Sequence, residues 1–498
     1  MRIFELLLIL SELFLMYLLF KKKECHKILF VSGVSTVILI IHFIVEGYRW
    51  QMLFPYLVTV IFLIVSSYRY LKKSDSIKIP KKLTYVINIF LVLLILISAG
   101  LSIILPVFKM PEPTGTYQTG TKIYHYINEN SDKNFIEDEN NEREIMIQVW
   151  YPAQNIKDKK RSNIIPNSKI FLKEIAKEYN IPEFLLDYLK YTKSNSFDDA
   201  EISNSCNSYP LIILNHGLGT SRLLHITQAE NLASHGYIVV SIDHTYSSIK
   251  TLFPNGKSTN FMISEDKLNT SLEYRIGVEK MWVKDIKFIV DRFIKANSDT
   301  ESFFNGKVDI NNIGIFGHSF GGAAAFDLCY NDSRFKAGID LDGSLYSCTQ
   351  YKPDNKSMNK PFMFVFSDEH FQFCKTVLER SYTTEDLKKM GFTREQYEKA
   401  KDEMLLPYKA TAKNGGNVLY IKNTKHYNFT DLQLVSPLIR FTGMTGNIDG
   451  ERASYIVNQY VLDFFNKHLK NIDGKLLEGP NQKFPEVIFG NKSILKEN

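Results

Sequence analysis

Four apolar runs, at about residues 3–20, 28–45, 52–68 and 84–106, open the chain, separated by short polar segments. An α-helix needs roughly 20 residues to cross the hydrocarbon of a bilayer. The pattern therefore predicts four membrane-spanning helices over residues 1–107. The third run is short and contains Pro55, yet Tyr48 and Trp50 before it and Tyr68 and Tyr70 after it suit the aromatic belts of membrane interfaces. No small-residue cleavage site follows the first run, and Lys21, Lys22 and Lys23 stand there instead, so it reads as a retained helix and not as a secretory signal. Buried core helices of a soluble domain are the alternative reading of all four.

Beyond residue 107 the spacing of apolar positions changes. An extended segment from Thr116 to Tyr126, a polar loop from Asn128 to Glu142 and an alternating run from Ile145 to Tyr151 predict an antiparallel hairpin. After a lysine-rich, partly helical stretch from Ser168 to Lys190, short β-rich runs recur at Leu211–Leu214, Tyr237–Ile242, Ile313–Phe316, Ala337–Leu341, Phe362–Phe366 and Val418–Ile421. Helical patterns separate or follow them, notably Leu268–Ala296, Phe320–Tyr330 and Ala453–Leu469. Strands alternating with helices predict an α/β fold, a mostly parallel sheet covered on both faces, over residues 108–498. Residues 377–406 are charged and helical in character and fall between the last two strands, the place of a lid or of a solvated surface helix.

Charge refines this picture. Lysine and arginine number 60 against 54 acidic residues, a net charge of +6. Much of that basic charge lies between the apolar runs, which argues for membrane orientation and against nucleic-acid binding. Lys21, Lys22, Lys23 and Lys27 separate runs one and two; Arg69, Lys72, Lys73, Lys78, Lys81 and Lys82 separate three and four; between two and three stands only Arg49. Lysine-rich loops stay in the cytoplasm, so both termini and the large domain are expected outside the cell. Glu5 and Glu12 share one helical face, and His42 and Glu46 another. Such groups face a bundle interior, for packing and pairing or for transport or sensing. The five cysteines, Cys25, Cys206, Cys329, Cys348 and Cys374, show no CxxC spacing, which speaks against a zinc or thioredoxin-like site. They read as mostly free thiols. Abundant lysine, asparagine and isoleucine suggest a low-GC bacterial source.

The candidate chemistry centres on Gly317-His318-Ser319-Phe320-Gly321-Gly322, where a predicted strand meets a predicted helix. Glycines around a serine at such a turn permit the sharp backbone that lifts the hydroxyl clear of the sheet. The alternative is a glycine-rich turn without chemistry. A serine hydroxyl is a weak nucleophile at neutral pH, so it needs a base within hydrogen-bond reach and a carboxylate to orient that base. In this architecture they follow in the order serine, acid, histidine. The strand Ala337–Leu341 runs into Asp342-Gly343, and Asp342 is favoured because it lies nearer the strand end, before a turn-permitting glycine. Asp340, on the same face, is the alternative acid. His426 follows the strand Val418–Ile421 and is better placed than His370, just past an earlier strand, or His468, in the terminal helix. An oxyanion needs fixed donors. The expected pair is the N–H of Phe320 and the N–H of Leu218 in Asn215-His216-Gly217-Leu218-Gly219. His216 reads as a support for that loop, with a second general base as the alternative.

Taken together, Val149-Trp150-Tyr151-Pro152, His216-Gly217-Leu218-Gly219, Ala233-Ser234-His235-Gly236-Tyr237-Ile238-Val239, the Ser319 motif, Asp342, His426-Tyr427-Asn428-Phe429 and Gly446-Asn447-Ile448-Asp449 resemble the plasma-type platelet-activating factor acetylhydrolase family, over about residues 115–490. The resemblance implies an α/β-hydrolase fold, Ser319, Asp342 and His426 as catalytic triad, and Leu218 and Phe320 as oxyanion donors. It implies a serine esterase that cleaves short or oxidised acyl chains from the second position of phospholipids, with no metal or organic cofactor. The four apolar runs and the stretch Asp243-His244-Thr245-Tyr246 depart from the animal enzymes, so the expectation is a bacterial, membrane-anchored member. Two rivals stand beside it: a general carboxylesterase or polyester hydrolase, and a catalytically inactive membrane-tethered sensor or receptor.

Overall fold

A computed structural model describes residues 1–21, 25–72, 80–129, 143–178, 180–345, 360–379, 382–389 and 393–491. Lys22, Lys23, Lys73, Lys78, Cys348, most of the polar loop 128–142 and parts of 377–406 lie outside the described residues. The chain forms two compact units, one of Met1–Lys109, Asn167–Thr192 and Val435–Leu438, the other of Met110–Pro166, Lys193–Leu434 and Ile439–Asn498.

The first unit holds four helices, α1 (Ile3–Phe20), α2 (Cys25–Val45), α3 (Leu53–Leu71) and α4 (Lys81–Ile104), all long and apolar enough to cross a membrane. Large apolar side chains such as Phe30, Ile44, Ile64 and Phe90 are exposed on them, while Glu5, Glu12 and His42 are buried. That is the reverse of a water-soluble bundle. The buried polar groups find partners within the unit. Glu5 accepts from Arg49 at 2.8 and 3.0 Å and from the Arg2 N–H at 2.8 Å, His42 bonds Glu46 at 2.9 Å and Tyr56 at 2.6 Å, and Glu12 accepts from Thr59 at 2.6 Å. The later segment of this unit supplies rings to the same end: Tyr188 under the Arg49 guanidinium, Phe184 edge-on to Trp50, and Tyr191, whose hydroxyl donates to the Tyr48 carbonyl.

The second unit is built on a sheet whose main strands are β1 (Gln118–Asn128), β2 (Arg143–Gln154), β3 (Tyr209–Asn215), β4 (Ile238–Asp243), β5 (Val308–His318), β6 (Phe335–Leu341), β7 (Phe362–Ser367) and β8 (Asn417–Ile421). Their order is β8-β7-β6-β5-β3-β4-β2-β1. From β4 to β8 all pairings are parallel, whereas β1 and β2 form the expected antiparallel hairpin, joined antiparallel to β4. All seven residues of β3 are buried, as the continuous apolar run up to Leu214 requires of a strand covered on both faces. The covering helices are α5 (Ile226–Ser234), α6 (Leu272–Ser298), α7 (Phe320–Asn331), α8 (Asp368–Glu379) and α9 (Gly450–Lys470). Alternation along β5 shows how the faces divide. Ile313 and Ile315 join the cluster of Trp282, Ile286 and Phe326, while Phe316 packs its ring 5.9 Å from that of Phe465 in α9. Gly314 shares that second face, and a methyl group there would come within 2.6 Å of Phe465.

Two departures from the sequence pattern have local causes. The helix expected over Leu268–Ala296 is two, Glu265–Thr270 and α6, because Ser271 is extended and its hydroxyl accepts from the Tyr274 N–H as an N-cap. The polar segment Lys193–Asp198 is also a strand. The buried Glu230 carboxylate makes this possible by accepting from the Ser196 N–H at 2.8 Å, its hydroxyl at 2.7 Å and the Asn195 amide at 3.1 Å.

Candidate active site

β5 and β3 are neighbours, and the chain runs from them towards opposite edges of the sheet. In open α/β sheets that reversal leaves a crevice at the carboxyl ends of the strands. Ser319 stands at this place, between β5 and α7, with φ 56° and ψ −121°. A non-glycine residue in such a region costs of order 1–3 kcal/mol and persists only where its surroundings impose it. Here the Ser319 N–H donates to the Leu341 carbonyl at 3.0 Å and the Gly322 N–H donates back to the Ser319 carbonyl at 2.9 Å. The strain therefore sits on the serine itself. Gly317, Gly321 and Gly322 serve by lack of volume: a methyl group on them would run into the Gly321 carbonyl, the His216 carbonyl and the Asp340 carboxyl respectively.

Asp342 follows β6 with φ 58° and is 3% exposed. Its Oδ2 accepts from His426 Nδ1 at 2.8 Å; its Oδ1 accepts from the Ser367 N–H at 2.6 Å and from His370 Nδ1 at 3.3 Å. Burial alone would raise this carboxyl, but the hydrogen bonds from the two histidines and their charge hold it far below the usual carboxylate range. Asp340, the alternative acid, is fully buried beneath the elbow, where its Oδ1 accepts the Gly343 N–H at 2.7 Å. Burial pushes it up to about 8. Among the described residues it makes no hydrogen bond to His426.

His426 opens a 3-10 turn, His426–Phe429, whose shape comes from Asn428. The Asn428 Oδ1 accepts the Lys425 N–H at 2.9 Å and the Gly446 N–H at 2.7 Å. Gly446 allows no side chain because the Asn423 carbonyl occupies that space, and Asp449 caps α9 by accepting the Arg452 N–H. Behind the histidine, His318 Nε2 donates to the His426 carbonyl at 2.9 Å. Burial and the neighbouring His426 keep His318 well below its ordinary value, so it is neutral. His370, just past β7, is brought by α8 onto Asp342. His468 lies against Phe464 in α9.

Ser319, Phe320, Asp342 and His426 line one pocket of about 360 Å3, together with Ser344, Ser367, Glu369, His370 and Phe373. The loop after β3 reaches it through Gly217, where a methyl group would stand 3.3 Å from Ser319 Cβ. The Gly219 N–H donates to the Ser247 carbonyl and the Thr220 N–H to the Gly217 carbonyl. The N–H groups of Leu218 and Phe320 have no such backbone acceptor among the described residues. His216 is fully buried: Nδ1 donates to the Gly217 carbonyl at 2.6 Å and Nε2 accepts the His244 N–H at 3.2 Å. Burial keeps it well below its ordinary value, so it braces the loop as a neutral ring. Asp243-His244-Thr245 extends the brace, with Asp243 holding Arg222 and His244 bonding Asp285 at 2.9 Å while stacking on Trp282.

Among the described residues, Glu5, His42 and Glu46 bring ligand-type atoms within 4.8 Å of one another. Both oxygens of Glu5 already accept from Arg2 or Arg49, which supply positive charge there.

The family model described as "Platelet-activating factor acetylhydrolase, isoform II" matches residues 103–284 and 282–477. A platelet-activating factor acetylhydrolase of Cavia porcellus is 24% identical over 380 residues, 69% of this chain and 78% of that one. That of Canis lupus familiaris is 25% identical over 414 residues, 75% and 81%. A protein of Arthroderma benhamiae described as a probable 1-alkyl-2-acetylglycerophosphocholine esterase is 26% identical over 298 residues, 56% and 66%. Among solved structures, a ferulic acid esterase from Streptomyces cinnamoneus superposes with a TM-score of 0.57 at 23% identity, covering 77% of this chain and 99% of that one, a likeness of fold. With well over half of its length matched by the family, the chain belongs to the platelet-activating factor acetylhydrolases of isoform II type.

Proposed function

We propose that this chain is a membrane-anchored serine esterase, with residues 1–107 as anchor and 108–498 as catalytic domain. Ser319 is the nucleophile, His426 the base, Asp342 the orienting acid, and the Leu218 and Phe320 N–H groups the oxyanion donors. The observation that carries this reading is the 2.8 Å bond from His426 to Asp342 in the same pocket as the strained Ser319. Since Nδ1 of His426 is bound to the acid, Nε2 is the nitrogen left to take the Ser319 proton as Oγ attacks the ester carbonyl. The same proton then leaves with the alcohol; a water molecule, deprotonated by His426, attacks the acyl carbonyl, and His426 returns that proton to Ser319 Oγ as the acid is released. Every proton moves through a group of the chain itself.

The names of the relatives support an acetyl or other short acyl chain at the second position of a phospholipid as the group removed. Pocket size agrees with it, since about 360 Å3 is at the low end of the roughly 300–1,000 Å3 of small-molecule sites. Acyl release by the full-length chain from phospholipids of graded chain length, compared with Ser319→Ala, tests the reading. Release should fall by at least about 10³-fold in the variant and favour short or oxidised chains. Equal release by both proteins would sink the serine mechanism, and activity confined to simple esters would assign a broader carboxylesterase. The outward orientation follows from the positions of the lysine-rich loops. External protease should cut the catalytic domain in intact cells, and protection would reverse the orientation.

A further inference from the structure

The acid of the site carries two imidazoles. His370 lies in the first turn of α8, three residues beyond β7, where its N–H donates to the Ser367 hydroxyl at 3.1 Å. Its ring packs 4.4 Å from that of Phe366. Nδ1 points at Asp342 Oδ1, the oxygen already held by the Ser367 N–H, while Oδ2 is left to His426. The side chain is 14% exposed and lines the pocket.

We propose that His370 is a positioning residue of the reaction, which holds Oδ1 so that Oδ2 faces His426 and which, as a cation, weakens the grip of Asp342 on the His426 proton. This rests on the reading of Ser319, Asp342 and His426 as the triad. Burial alone would push His370 down, but its bonds to Asp342 and Cys374 and the carboxylate charge carry it up to about 10. At neutral pH it is therefore an imidazolium. A carboxylate shared between two donors, one of them cationic, stabilises a positive charge on the other less than one left to a single partner. The other titratable or charged groups around the pair are His318 from β5 with His225 behind it, Asp340 from β6, Glu369 and Cys374 from α8, and Lys425 and Tyr427 beside His426. Of these, His318 and Asp340 are held neutral by burial. None of the others hydrogen-bonds Asp342 among the described residues.

Hydrolysis of p-nitrophenyl acetate by the full-length chain in detergent, followed across pH, tests this with two substitutions. His370→Asn keeps a donor near the Nδ1 position and removes the charge; His370→Leu removes both. His370→Asn should keep kcat within about threefold while the acidic limb of kcat/KM moves up by about one pH unit. His370→Leu should lower kcat by about tenfold or more with KM little changed. Wild-type kcat and pH profile in both variants would overturn the proposal, as would equal losses in both that track a loss of thermal stability. Ser319→Ala and His426→Ala serve as controls. Persisting activity in either overturns the triad and the proposal with it, whereas an intact triad with unmoved His370 profiles overturns the proposal alone.

Discussion

Beneath the serine elbow and at its rim the chain buries the same two kinds of side chain, carboxyl and imidazole, in opposite charge states. Asp340 and Asp342 leave the same strand two residues apart. Asp340, on the floor, has the Gly343 N–H on one oxygen and, among the described residues, no partner on the other, and burial holds it towards the neutral form. Asp342, on the rim, has a backbone N–H and two imidazoles and is ionised. Likewise His216 and His318 are neutral braces, while His370 is charged. Burial is nearly the same for the two carboxyls. The partners decide which group keeps its charge, donors for a carboxylate and an anionic acceptor for an imidazole, because an uncompensated buried ion costs several kcal/mol.

The strongest way to break this contrast is to give the rim a neutral group. Asp342→Asn should lower kcat by about 10⁴-fold, measured by ester hydrolysis, whereas Asp340→Asn should stay within about threefold; similar losses in the two would erase the distinction. Next in size is crowding of the floor. Gly322→Ala drives a methyl group into the Asp340 carboxyl and should cost about 1–3 kcal/mol or more, seen as faster thermal inactivation. Unchanged inactivation would mean that the floor yields. The smallest effect is one of pH. Asp340 has a raised folded-state value, so its contribution to stability is present below the unfolded carboxyl value and is lost as pH rises towards about 8. Asp340→Asn has no charge to suppress, so its thermal midpoint relative to wild type should climb between pH 5 and 8. A flat difference would show that Asp340 is ionised throughout.

The floor was easier to foresee than the rim. Continuous apolar strands such as Leu211–Leu214, and a glycine-flanked serine where a strand meets a helix, announce themselves because local sequence dictates local structure. The place of Asp342 was likewise legible, from the strand end and the glycine after it. His370 was not, although it stands just past a strand, because its partner lies 28 residues earlier and across two parallel strands. Its signal was that the strand before it pairs with the strand that delivers the acid. The break at Ser271 could have been read from a serine three residues before a tyrosine in a helical pattern only by knowing that its hydroxyl turns inward. The strand Lys193–Asp198 has no apolar pattern at all, since Glu230 solvates it from a distant helix.

The crowding at Gly317, Gly321 and Gly322 has a consequence for how such an enzyme changes over generations. These three positions interlock the serine turn with the His216 loop on one side and with Asp340 on the other, so no single substitution there can widen the site without dislodging its neighbours. The opposite wall is free of that constraint, because Phe373 is 58% exposed and Glu369 is exposed beside it. Variation in which esters are accepted should therefore accumulate on α8, and a library aimed at new substrates is best confined to that helix.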